Sequence, residues 1–119
     1  MSHSQCPFCL LPLSFGVDEA ICANGHAFDA SSLTLASNMA AARALWSATR
    51  AMADDAAGLH WRAEQRDTDP EVSASLRLQA SSSLEASETL RILAVAAQRR
   101  LDALPLPLST VRLQSPASD

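Results

Sequence analysis

From residue 42 onward, small and apolar residues recur at alternating steps of four and three. Ala42, Trp46, Thr49, Ala53, Ala56, His60 and Ala63 form one such series. Leu76, Ala80, Ser83, Ser87, Leu90, Ala94, Ala97, Leu101 and Leu104 form a second. This is the spacing of a coiled-coil seam, so each series predicts one stripe of a long helix. Leu45, Met52 and Leu59 widen the first stripe along one flank, while Arg43, Asp54, Asp55, Arg62 and Gln65 lie largely away from it. Ser31 and Ser32 are N-cap candidates, which places the first helix at residues 32–66. Gly58 is a point where that helix is expected to bend or end, because glycine in a helix interior costs about 1 kcal/mol against alanine.

Thr68-Asp69-Pro70-Glu71 marks the boundary between the helices. Thr68 or Asp69 can cap, proline suits the first helical turn, and Glu71 favours the N-terminal dipole. The second helix is expected over residues 70–104. It stops at Leu104-Pro105-Leu106-Pro107-Leu108, since proline cannot continue a helix and restricts the residue before it. A short connection makes the two helices antiparallel neighbours. Small residues in both seams allow close approach, and a rise of about 1.5 Å per residue gives arms of about 50 Å.

Before residue 32 the helical period fails. Phe15-Gly16 and Asn24-Gly25 read as turns around a short strand at Ala20-Ile21-Cys22. Leu11, Leu13, Phe15, Ile21 and Phe28 are the available apolar residues. They are too few for an independent core, so a bound ion is expected to supply folding energy. Ser109 to Leu113 alternates weakly and reads as either an extended strand or a free tail. The predicted architecture is mainly α: a zinc-ribbon module at 1–31, a helical hairpin at 32–104 and an extended tail at 105–119. At 119 residues the chain is one domain plus a small module rather than two full domains.

The candidate chemistry sits in the ribbon. Cys6, Cys9, Cys22 and His26 follow the spacing C-x2-C-x12-C-x3-H and include every cysteine of the chain. Four thiolate and imidazole donors in two closely spaced pairs suit tetrahedral zinc, and a set without an open position is structural rather than catalytic. A disulfide would leave one cysteine odd. His3 is a competing donor, in a terminus expected to fray. The chain opens Met1-Ser2-His3 without an apolar signal segment. A cytoplasmic or otherwise intracellular, reducing setting is therefore expected.

The run Cys6-Pro7-Phe8-Cys9 with Cys22-Ala23-Asn24-Gly25-His26-Ala27-Phe28-Asp29 resembles the N-terminal zinc module of 23S ribosomal-RNA guanine methyltransferases. Leu13-Ser14-Phe15, Glu19-Ala20-Ile21-Cys22, Gly25-His26-Ala27-Phe28 and Leu33-Thr34 also resemble the first half of the zinc finger of transcription factor IIIC subunits. Both resemblances stop in the first third of the chain. No methyltransferase domain or glycine-rich cofactor loop follows, and Ser31 stands where the second finger would place a cysteine. The resemblances imply zinc and a ribbon-like fold, and carry no activity over.

Composition and charge narrow the function. Every basic residue is arginine, the formal net charge is −4, and the first basic residue is Arg43. Residues 1–42 carry Asp18, Glu19 and Asp29 with no cation. Nucleic-acid binding draws most of its affinity from arginine and lysine at phosphates, so the ribbon lacks that footprint. No apolar run is long enough for a membrane span. His60 reads as a packed seam residue, Glu64, Asp67 and Asp69 as a solvated acidic cluster, and Arg91, Arg99 and Arg100 as a wet helix face. No serine has a recognisable base and orienting acid. The chain is therefore expected to be non-enzymatic, acting as an adaptor or small subunit of a larger assembly. An RNA- or DNA-associated accessory protein is the alternative, and a zinc enzyme is the least favoured class. Leu90 to Ala97 is apolar around nearly the whole circumference, which means burial on more than one side. Ile92 and Val95 lie off the seam. They are expected to meet a second copy in a two-fold four-helix arrangement, a heterologous protein, or the ribbon, whose own apolar residues count mostly towards the metal.

Overall fold

A computed structural model of the chain describes residues 4–105. Three short strands, β1 (Leu13–Phe15), β2 (Ala20–Cys22) and β3 (Ala27–Phe28), precede two helices, α1 (Ala30–Ala63) and α2 (Pro70–Ala103). Each helix has 34 residues, so the fold is mainly helical as expected. Two compact units are distinguishable. One comprises residues up to 41 together with those from 99 onward, and the other comprises residues 42–98.

In the first unit β2 is the central strand of an antiparallel sheet. Leu13 pairs with Cys22, Ser14 with Ile21 and Phe15 with Ala20, while on the other side Ala20 pairs with Phe28 and Ile21 with Ala27. The β1–β2 turn is closed by the Gly16 N–H donating to the Glu19 carbonyl at 2.7 Å. Alternation along β2 turns Ala20 and Cys22 inward and Ile21 outward. Cys6, Cys22 and Phe28 form the buried cluster, with Leu11, Leu13, Leu33 and Ala36 packed against it. Phe15 and Ile21, expected to contribute to this core, are exposed instead. The α1 side chains Leu33 and Ala36 cover the cluster.

The α1 cap also differs from expectation. Asp29 accepts the Ser32 N–H on its Oδ1 at 2.8 Å, and its carbonyl accepts the Leu33 N–H at 2.9 Å. The carboxylate satisfies an amide that the helix ladder leaves orphaned. The helix accordingly starts at Ala30, and Ser32 is a buried residue of its first turn rather than the cap.

In the second unit the two seams bury Ala42, Ala56 and Ala63 from α1 and Leu76, Ala80, Ser87, Ala94 and Ala97 from α2. Three serines of α2 donate to α1. Ser73 Oγ reaches the Ala63 carbonyl at 2.7 Å, Ser83 Oγ the Asp55 Oδ2 at 2.7 Å, and Ser87 Oγ the Thr49 carbonyl at 3.0 Å. As the α2 position advances, the α1 partner retreats, which is the signature of an antiparallel hairpin. Trp46 falls on the seam by spacing yet stays exposed. An indole is too bulky for a stripe otherwise filled largely by alanine. Gly58 does not end α1, which continues to Ala63.

The connection is held by its own side chains. The Thr68 hydroxyl donates to the Arg62 carbonyl at 3.0 Å, closing the end of α1. Asp69 Oδ1 accepts the Glu71 N–H at 2.8 Å, so of the two cap candidates Asp69 takes the role. The tail beyond Pro105, including the Ser109–Leu113 alternation, lies outside the described residues. Among the described residues no helix is long and apolar enough to cross a membrane.

Ala80 is wholly buried between the helices. Ala80→Leu forces extra methylenes into a closely packed seam and should destabilise the hairpin by about 1–3 kcal/mol. Leu78→Ala on the exposed side should stay within about 0.5 kcal/mol. Thermal denaturation followed by helical circular dichroism checks both.

Candidate metal centre

Two short loops carry the four donors. In the first, the Leu10 N–H donates to the Cys6 carbonyl at 2.9 Å and the Cys6 N–H to the Leu11 carbonyl at 2.8 Å. The Phe8 N–H points at Cys6 Sγ, 3.4 Å away. In the second, the Gly25 N–H donates to the Cys22 carbonyl at 2.9 Å and the Cys22 N–H to the His26 carbonyl at 3.0 Å. Gly25 has φ of 90°, a left-handed conformation that costs glycine little. Leu10 has φ of 68° without being glycine. That conformation costs an ordinary residue roughly 1–2 kcal/mol.

The loops bring Cys6, Cys9, Cys22 and His26 together. Their ligand atoms all lie within 4.8 Å of one another, a group that could hold a metal ion. His26 Nδ1 is 3.5 Å from Cys6 Sγ and 3.3 Å from Cys22 Sγ, and Cys9 Sγ is 3.6 Å from Cys22 Sγ. All three sulfurs are free thiols, two of them buried. His3, the competing donor, lies outside the described residues.

The thiols are electrostatically unequal. Burial pushes Cys22 up, but the backbone at His26 and Asn24, with the Cys9 thiol and the His26 ring, outweighs it and lowers Cys22 from 9.0 to about 6. For Cys9 the Leu11 backbone pulls down, but burial and hydrogen bonds with Cys22 and Cys6 prevail and hold it above its ordinary value. Donation from the Cys9 thiol to a Cys22 thiolate contributes to both shifts, lowering Cys22 and raising Cys9. The thiolate is the metal-ligating form.

Two neighbours were not singled out from the sequence. The Phe8 ring meets His26 edge-on, with centroids 5.4 Å apart at 86°, and is tilted against Phe28 at the same separation. It fixes the face of the imidazole while remaining largely exposed. Leu10 is the other, and residue type alone carries no signal for a left-handed leucine. The hairpin residues weighed for chemistry do not join the donor set. The group of four contains no residue beyond Asn24-Gly25-His26 in the chain. Compared with family models, with curated proteins and with solved structures, the chain matches none of them.

Because folding lowers the Cys22 pKa, the stability contributed by its thiolate is complete above about pH 9 and is lost as the pH falls through about 6. Protonation also removes a donor. In the metal-free chain the ultraviolet absorbance of the Cys22 thiolate should be lost as the pH falls through about 6, with stability to denaturant falling alongside it. A Cys22 thiolate lost only near the ordinary thiol value of 9.0 would contradict the lowered pKa.

Proposed function

We propose that the chain is a non-enzymatic, zinc-stabilised binding module that serves as an adaptor or small subunit of a larger protein assembly. The observation that carries this reading is the convergence of four protein donors on one point. Zinc bonds thiolate sulfur at about 2.3 Å and imidazole nitrogen at about 2.0–2.1 Å, so a tetrahedral site has edges of about 3.8 Å between sulfurs and about 3.6 Å between sulfur and nitrogen. The separations of 3.3, 3.5 and 3.6 Å in the ribbon fit those edges closely. The donor set also suits zinc chemically, since three thiolates and one imidazole are its usual structural ligands. Bound there, zinc cross-links the two loops and supplies folding energy to a ribbon with little core of its own. With all four positions filled by protein, no position is left for substrate or an attacking water.

The partner surface in this reading is the outer side of α2. Ile92 is 58% exposed and Leu93 50% exposed. Arg91 beside them is engaged by Glu88, whose carboxylate accepts from the guanidinium at 2.6 Å. Burial of these side chains against a second copy would complete a two-fold four-helix arrangement. The resemblance of residues 6–29 to zinc modules of nucleic-acid-associated proteins supports an RNA- or DNA-associated alternative. The cation-free ribbon weighs against it.

Two measurements test the reading. Elemental analysis of protein purified without chelator should give one zinc per chain. Cys22→Ser should release the zinc and melt the ribbon, while the helical signal of the hairpin persists. Light scattering should report about twice the chain mass, and Ile92→Glu with Val95→Glu should shift it to monomer. A zinc-free chain contradicts the metal assignment, and an unshifted mass contradicts the α2 surface.

A further inference from the structure

The turn between β1 and β2 carries apolar side chains that the ribbon core does not use. Val17 is 100% exposed, Phe15 is 62% exposed, and Ile21 faces away from the Cys6–Cys22–Phe28 cluster. With Ser14, Asp18 and Glu19 they line an open cleft around the turn. Tight turns favour glycine, asparagine, aspartate, proline and serine, each for a conformational reason that valine does not share. Val17 therefore contributes neither turn chemistry nor packing within the chain. The two carboxylates beside it have no ion pair among the described residues. No lysine or arginine occurs anywhere in residues 1–42 to offset them.

We infer that this turn is a docking surface for a polypeptide segment that carries arginine or lysine alongside apolar side chains. The apolar part of such a segment removes Val17, Phe15 and Ile21 from water. The cation meets Asp18 and Glu19, which an uncharged or acidic segment would desolvate without a partner. The same carboxylates repel phosphate backbones and anionic lipid surfaces, so the charge selects a basic polypeptide over either. The surface is distinct from the outer side of α2 and depends on the metal reading only through the folding of the ribbon.

The test uses the full zinc-loaded chain, isotope-labelled for amide NMR, with a short peptide alternating arginine and leucine as the probe. Controls are a glutamate–leucine peptide, an arginine–serine peptide and a single-stranded oligoribonucleotide. Shift changes confined to residues 14–21 are expected with the arginine–leucine peptide alone. Val17→Ser should weaken that binding about tenfold, as loss of one buried aliphatic side chain implies. Asp18→Asn with Glu19→Gln should weaken it at low salt and have little effect at high salt. Zinc content measured on each variant separates a lost surface from a lost fold. Ile92→Glu, on the other proposed surface, should leave the binding unchanged. Absence of shifts at residues 14–21, equal binding by the Val17 variant, or tighter binding of the oligoribonucleotide at the turn would overturn the assignment.

Discussion

Three sulfurs and an imidazole lie within 4.8 Å of one another, close enough to hold a metal ion, and the first third of the chain is built around them. Cys6 and Cys22 are donors and also two of the three residues in the buried cluster. A module of this size would ordinarily bury branched aliphatic side chains at its centre, and here thiols occupy that place. Buried thiolates are unfavourable without a compensating charge. If the ribbon is zinc-stabilised as proposed above, its local fold and the occupancy of the site are coupled. The chain then passes from the site to the hairpin in a few residues. His26 is a donor, Phe28 is core, and Asp29 caps α1.

The two parts of the chain were legible in the sequence to different extents. The donor set was readable because ligand spacing is a local property: two residues between Cys6 and Cys9, and three between Cys22 and His26, are enough to close the loops on one ion. The helical seams were readable because alanine and serine at steps of four and three have few other uses. The misread positions share a cause, which is competition between neighbours that spacing does not resolve. Asp29 and the two serines after it can all cap, and the carboxylate prevails because the chain leaves β3 directly at Asp29. Trp46 has the right phase but the wrong volume. Hydrophobicity alone offers Phe15 and Ile21 to the ribbon core, but strand alternation turns Ile21 outward and α1 supplies Leu33 and Ala36 instead. β3, only two residues long, and the left-handed Leu10 leave no periodic trace.

Charge and apolar exposure are unevenly distributed. The ribbon has carboxylates without cations, whereas the arginines begin in α1 and continue through α2. Each region also leaves large apolar side chains in water, Val17 on the ribbon and Ile92 on α2. Exposed apolar residues scattered singly need no explanation. In the ribbon, however, they cluster about one turn where the backbone does not require them.

The serine contacts between the helices bear on how the hairpin knows its own alignment. Where alanine lines the seams they are nearly featureless, and over those stretches sliding one helix along the other by a turn exchanges one methyl for another. Ser73, Ser83 and Ser87 find acceptors at Ala63, Asp55 and Thr49 together in a single alignment. A one-turn slip carries Asp55 away from Ser83, whereas Ser73 and Ser87 donate to backbone carbonyls, a kind of acceptor that recurs along α1. The alanines set how close the helices come, and the Ser83–Asp55 pair favours one place along each other for them to stop. Of the three serines, Ser83 is thus the one whose acceptor is a particular side chain rather than the repeating backbone.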